Sequence, residues 1–247
     1  MNNTKIEINI PPVSVIIPAY NEEKWIGTTL SSILESGFPC EVIVVDDGSS
    51  DKTSQILKTF GESINVISQP VNKGKGAALV SGINEASGEI VIFCDAHLLG
   101  LNKYHLMTLT LPLVYDLARV TLGQGISAEF SLTSVFSPFL ILTGQRAYFK
   151  EDLLPLRKDM ENLGYGVETF LFNRFPRDKT VAVMLPGLTH LLKKDTSSVT
   201  DATLEYLREI MEVLETIARI GLLERIELTQ LKKSIASILA RFKSPGD

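Results

Sequence analysis

The sequence is poor in several features that would each define a class of protein. It holds two cysteines in 247 residues, Cys40 and Cys94, with neither CxxC spacing nor the density of a disulfide scaffold. Both lie at the edge or end of apolar runs and are expected to be small buried hydrophobes. Long basic runs are missing too: 24 Lys and Arg against 29 Asp and Glu leave a formal charge of −5. No basic stripe alternates with aromatics, which argues against a nucleic-acid partner. No G-x-G-x-x-G follows the first apolar run, which excludes a Rossmann-type dehydrogenase. No window reaches the roughly 18 uninterrupted apolar residues of a membrane span, because polar groups break even the stretch from Leu106 to Phe149. The first residues, MNNTKIEINIPP, lack the apolar core of a signal peptide, so a reduced, cytoplasmic setting is the expectation.

What is present is 45% hydrophobic residues, enough for a large core. In the first hundred residues, short β-rich runs alternate with helix-like segments, the rhythm of a mostly parallel α/β sheet. Strands are expected at Val13 to Ile17, Glu41 to Val45, Asn65 to Ser68 and Ile90 to Cys94. Pro18 would end the first. Helices are expected from Asn21, as N-cap, to Glu35, from the Ser49-Ser50-Asp51 cap to Phe60, and from Ala77 to Ala86. Beyond Leu106 the pattern is less legible, although a helix near Val167 to Phe175 and a strand at Thr180 to Leu185 stand out. From Asp201, apolar residues at spacings of three and four predict an amphipathic helical hairpin. The division expected is residues 1–195 as one domain, with a nucleotide-binding half at about 13–100 and an acceptor half at about 101–195, and residues 196–247 as a helical appendage.

In parallel sheets, ligands bind beyond the carboxyl ends of the strands. Three polar clusters stand there: Pro18 to Glu22, Asp46 to Ser49 and Asp95 to His97. The segments VSVIIPAYNEE and EVIVVDDGSSDKT resemble the nucleotide-binding half of family 2 glycosyltransferases. That resemblance implies a GT-A fold and an enzyme moving a sugar, a hexose by analogy, from a UDP or GDP sugar. It places Pro18, Ala19, Tyr20, Glu22, Asp47 and Gly48 around the nucleotide, with Asp47 accepting from the base. Lys73-Gly74-Lys75-Gly76 resembles the family's GKG segment and lacks Walker spacing, and it implies a donor contact for Lys75.

IVIFCDAHL stands where the family carries its Asp-x-Asp metal motif, but here reads Asp95-Ala96-His97. A diphosphate leaving group calls for a divalent cation, Mn²⁺ or Mg²⁺, and an imidazole in place of the second carboxylate either shifts the preference toward Mn²⁺ or leaves Asp95 to bind the cation through water. In retaining enzymes resembling glucosyl-3-phosphoglycerate synthase, a late histidine after a strand completes the metal site, which implies His190. The resemblance continues at GYGVE, where Tyr165 and Glu168 would border the sugar and acceptor. It continues also at Thr143 to Arg146, where Gly144, Gln145 and Arg146 would face a small phosphorylated or carboxylated acceptor. Asp95 and Glu168 are the candidate catalytic carboxylates, with Asp152 a further candidate base.

Two other readings compete. One is an inverting, membrane-associated transferase acting on a polyprenyl phosphate. Membrane contact is disfavoured because the tail mixes Glu and Arg on its polar side, so packing or homodimerisation is expected of it instead. The other, suggested by the missing second aspartate, is a catalytically impaired nucleotide-sugar-binding module.

Overall fold

A computed structural model of the chain describes residues 9–126 and 143–190. The expected tail hairpin lies outside the described residues.

The strands are β1 (Val13–Ala19), β2 (Glu41–Asp46), β3 (Asn65–Ser68), β4 (Ile90–Phe93), β5 (Leu98–Leu99), β6 (Val120–Ile126), β7 (Arg146–Phe149), β8 (Thr180–Pro186) and β9 (Thr189–His190). The main helices are α1 (Ile26–Glu35), α2 (Thr53–Lys58), α3 (Lys75–Glu85), α4 (Lys103–Val114), α5 (Lys150–Leu153), α6 (Arg157–Met160) and α7 (Val167–Arg174). Among the described residues these strands form a seven-stranded sheet in the order β3-β2-β1-β4-β7-β6-β8, and a separate ribbon of β5 with β9. Only β7 runs against its neighbours in that sheet. The fold is the α/β arrangement that the sequence pattern implies, and it agrees with the GT-A fold that the family resemblance implies.

Alternation along the central strands explains the layers. Val15 and Ile17 join the core that α1 and α4 cover, with Leu30, Ile33, Leu106 and Leu109. Ile16 and Ile43 join the opposite core beneath α3, α6 and α7. A Cβ at Gly82 of α3 would stand 2.4 Å from Ile16 Cγ2, so the glycine lets the helix lie close on β1.

Several boundaries move, each for a local reason. β1 runs on through Pro18 to Ala19 while its pairing with β4 stops at Ile16. Proline fits there because no ladder donor is required on the β4 side. α1 starts at Ile26 rather than at Asn21, whose φ of 54° is left-handed. Asn21 does not cap its own helix. Its side chain instead accepts from Ser50 N at 2.8 Å. α4 is not legible because Leu106, Leu109 and Leu113 are buried and Leu111 and Val114 are half-buried, which leaves no clean polar face. Its start is marked by Asn102, whose carbonyl oxygen accepts from Tyr104 N at 2.9 Å. Arg146 belongs to strand β7, not to a loop.

Candidate active site

The loops following β1 and β2 fasten one another. Asn21 N donates to Ser49 Oγ at 3.0 Å, Glu22 N to Thr53 Oγ1 at 2.8 Å, Glu23 N to Asp51 Oδ2 at 3.0 Å and Lys52 N to Glu23 Oε2 at 2.9 Å. Reading Asn-Glu-Glu and Ser-Ser-Asp as helix caps hides this reciprocal arrangement, and with it the parts of Asn21 and Thr53. The small polar residue types were the available signal. Their partners were not.

These loops present Tyr20, which is 42% exposed, as the nucleobase expectation requires. Asp47 is buried, and its two oxygens accept from Lys73 N and Gly74 N, both at 2.8 Å. Burial pushes its carboxyl up, against the two amides that pull it down. In this structure Asp47 therefore holds the 73–74 loop, and each oxygen keeps a lone pair. Gly48 has a φ of 72°, and a Cβ there would come within 2.6 to 2.8 Å of the Val71 and Asn72 backbone, so that turn admits glycine alone.

The centre of the site is a charged chain. Lys75, the first residue of α3, directs its ammonium to Asp95 Oδ1 at 2.8 Å and to Glu168 Oε1 at 2.6 Å. All three side chains are at most 14% exposed. Burial works to strip the lysine of its proton, but the two carboxylates outweigh it and hold the ammonium charged well beyond the ordinary lysine range. The Tyr165 ring centroid is 5.9 Å from the same nitrogen. Gln145 Nε2 donates to the other oxygen, Asp95 Oδ2, at 2.9 Å. Gly144 lies so near that a Cβ would stand 2.1 to 2.3 Å from the Asp95 carboxylate atoms. Gly144 and Gln145 thus shape Asp95 in this structure, a part the sequence assigned to acceptor contact.

Two expectations fail. Arg146 has no exposed surface: its Nε donates to Thr143 O at 2.6 Å and its Nη1 to Glu168 O at 2.8 Å. It anchors the start of α7 to β7 and cannot reach an acceptor. Asp152 accepts two hydrogen bonds from Arg119, at 2.9 and 2.7 Å. Because β7 is antiparallel, residues just past it lie beside the amino end of β4, where Ile90 faces Phe149. Asp152 is therefore at the wrong end of the sheet for a base.

His97 lies with its Nδ1 3.3 Å from Glu22 Oε1. Burial lowers its proton affinity, but the Glu22 hydrogen bond and the charges of Asp95 and Glu22 prevail and raise it. Residue 190 is brought opposite Leu98 in the β5–β9 ribbon, one position from His97. The His190 side chain is outside the described residues. Among those described, no group of three His, Cys, Asp or Glu side chains converges as a metal centre. Asp95 and His97 nevertheless offer one hard oxygen group and one imidazole on a short turn, a donor pair that fits Mn²⁺.

Residues 14–104, which hold Tyr20, Glu22, Asp47, Lys75, Asp95 and His97, match the family described as Glycosyl transferase family 2. Over this stretch the chain is similar to family 2 glycosyltransferases. Over 96 residues the chain is 43% identical to the probable glycosyltransferase YdaM of Bacillus subtilis, a match covering 35% of this chain and 23% of that protein. It is 36% identical over 96 residues to a dolichyl-phosphate beta-glucosyltransferase, ALG5A, of Trichomonas vaginalis, covering 34% and 30%. The chain thus spans under a third of either curated relative. Among solved structures, it resembles glucosyl-3-phosphoglycerate synthase of Mycobacterium tuberculosis in complex with Mn²⁺, UDP and glucosyl-3-phosphoglycerate. That likeness has a TM-score of 0.61 and 26% identity over 83% of this chain and 80% of the other.

Proposed function

We propose that the protein is a glycosyltransferase that moves a sugar from a UDP or GDP sugar to a phosphorylated acceptor, with a divalent cation at the diphosphate. The observation that carries this reading is the convergence of Lys75, Asp95 and Glu168 beside the Glu22–His97 pair at the carboxyl ends of β1 and β4, with all of these but Glu168 inside the stretch that matches family 2 glycosyltransferases. Tyr20 offers an exposed ring to the base, and the loop that Asp47 holds closes the same side. Lys75 orients two carboxylates at the place where the sugar would lie.

Asp95, His97 and His190 are the residues that would hold the cation, Mn²⁺ rather than Mg²⁺ on ligand chemistry. Such a cation supplies charge neutralisation to the departing nucleoside diphosphate. In the transfer, the bond from the anomeric carbon to the diphosphate oxygen breaks with its electron pair leaving on that oxygen. The acceptor oxygen bonds the anomeric carbon and loses its proton. Glu168 Oε1 already accepts a hydrogen bond from the Lys75 ammonium, and Asp152 is remote. These facts favour passing the acceptor proton to the leaving phosphate, the retaining route.

With Arg146 buried, the acceptor class rests on the relatives. The M. tuberculosis enzyme is named for phosphoglycerate and the T. vaginalis enzyme for dolichyl phosphate. Phosphate is their shared chemistry. Among the described residues no helix is long and apolar enough to cross a membrane.

The test is to incubate the protein with UDP and GDP sugars, Mn²⁺ or Mg²⁺, and either 3-phosphoglycerate or a short polyprenyl phosphate, following nucleoside diphosphate release and product mass. Sugar transfer to either acceptor supports the proposal. Nucleotide binding without turnover under every combination would reduce the protein to a binding module.

A further inference from the structure

Thr29 sits in the middle of α1, fully buried. A threonine in a helix commonly turns its hydroxyl back to the carbonyl four residues earlier. Here the Trp25 carbonyl receives the Thr29 amide at 3.1 Å, and the hydroxyl crosses to another part of the chain. It donates to Ala96 O at 2.8 Å and accepts from Leu98 N at 3.0 Å, with Leu98 O at 3.2 Å as a second acceptor.

The Ala96 carbonyl belongs to the peptide before His97, and the Leu98 amide to the peptide after it. One hydroxyl therefore grips both peptide groups that set the backbone of His97. The grip is rigid, because Ile26, Leu30 and Ile33 fix α1 in the core at 0 to 1% exposure. The same residue, Leu98, pairs with residue 190. Beside that pairing, a Cβ at Gly100 would stand 2.5 Å from Gly187 O, so the two turns lie in contact.

We infer that Thr29 is a positioning residue: its hydroxyl holds the His97 backbone, and through Leu98 the β9 strand, in the geometry that the cation site needs. It touches neither donor nor cation, and sets where two imidazole-bearing positions stand relative to Asp95. The inference rests on the proposed donor reading and adds a residue that no chemical motif singles out. A hydroxyl bonded directly to the peptides on either side of a cation-binding residue acts as outer partners of metal ligands do, and loss of such partners typically weakens metal binding about 10- to 100-fold.

The experiment compares Thr29→Val, which keeps the shape and removes the hydroxyl, with Thr29→Ser, which keeps the hydroxyl. Thr29→Ala serves in case the valine methyl is not accommodated. Free Mn²⁺ is followed by electron paramagnetic resonance with saturating UDP, and urea unfolding is measured in parallel. A core variant of comparable stability loss on the opposite face, Ile83→Val, is the control. The expected result is an Mn²⁺ dissociation constant raised about tenfold or more in Thr29→Val and Thr29→Ala, and within about threefold of the parent in Thr29→Ser and Ile83→Val. If the parent binds Mn²⁺ and Thr29→Val binds it equally well, Thr29 is a core residue only and the inference is overturned. If the parent binds no Mn²⁺ with UDP present, the donor reading itself fails, and this inference falls with it.

Discussion

The charged chain at the centre of the site makes a prediction that needs no knowledge of the substrate. Lys75→Met preserves most of the stem volume and removes the ammonium shared by Asp95 and Glu168. Gln145 would still serve Asp95 Oδ2, but Asp95 Oδ1 and Glu168 Oε1 would be left facing one another without a cation. The side chains involved are 14%, 12% and 9% exposed, so water can do little to compensate. Breaking a buried ion pair from one side costs about 3–5 kcal/mol. At about 2–4 °C per kcal/mol for a chain of this size, the melting temperature should fall by roughly 6–20 °C.

The cost should come from the stranded charges rather than from lost packing. The triple variant Lys75→Met, Asp95→Asn, Glu168→Gln should therefore recover most of the loss, as replacing whole buried ion networks often does. The pH dependence has a definite sign. Lys75 is held above its unfolded value of about 10.4, so its contribution is whole below that pH and fades only as pH climbs through the folded value. The gap between parent and Lys75→Met should be the same at pH 7 as at pH 9. Differential scanning calorimetry reads all of these quantities. A Lys75→Met protein melting within about 2 °C of the parent, or a triple variant melting no higher than the single one, would refute the reasoning.

Two further outcomes follow from the same geometry. Gly144→Ala would place its Cβ 2.1 to 2.3 Å from the Asp95 carboxylate, so the carboxylate must leave Gln145 or Lys75. The expected result is loss of Mn²⁺-dependent UDP binding by calorimetric titration, with a stability cost of about 1–3 kcal/mol; unchanged metal dependence would mean that Asp95 is not at the cation. Cys94 is buried with its thiol pushed far up, and Cys40 is raised by burial to about 11. Neither should react with Ellman's reagent at pH 8 until the protein unfolds, and a thiol count of one or two in the native state would contradict that.

The parts of the site that were legible in the sequence are those set by local chemistry. Strand runs such as Ile90 to Phe93 announce themselves by composition, and polar residues placed just after them mark the ligand edge of a parallel sheet. Tyr20, Glu22, Asp47, Asp95 and His97 were found in this way, and family resemblance added Lys75, Tyr165 and Glu168. What was not legible depends on which way a long side chain turns. Lys75 reads as a phosphate contact from its place at the start of a helix, yet two carboxylates 20 and 93 residues away capture it. Arg146 reads as an acceptor clamp, yet β7 carries it into the core, where the Thr143 and Glu168 carbonyls accept its hydrogen bonds.

For this protein, then, the sequence alone determined the α/β class, the resemblance of residues 14–104 to family 2 glycosyltransferases and the edge of the sheet where the polar clusters gather, because periodicity and short motifs are local properties of the chain. Only the tertiary structure decided that Asp152 is remote, that Gln145 and Gly144 shape Asp95, and that Thr29 holds both peptides of His97. These are contacts between residues far apart in sequence, and no local pattern encodes the antiparallel turn of β7 or the crossing of α1 over the end of β4 that creates them.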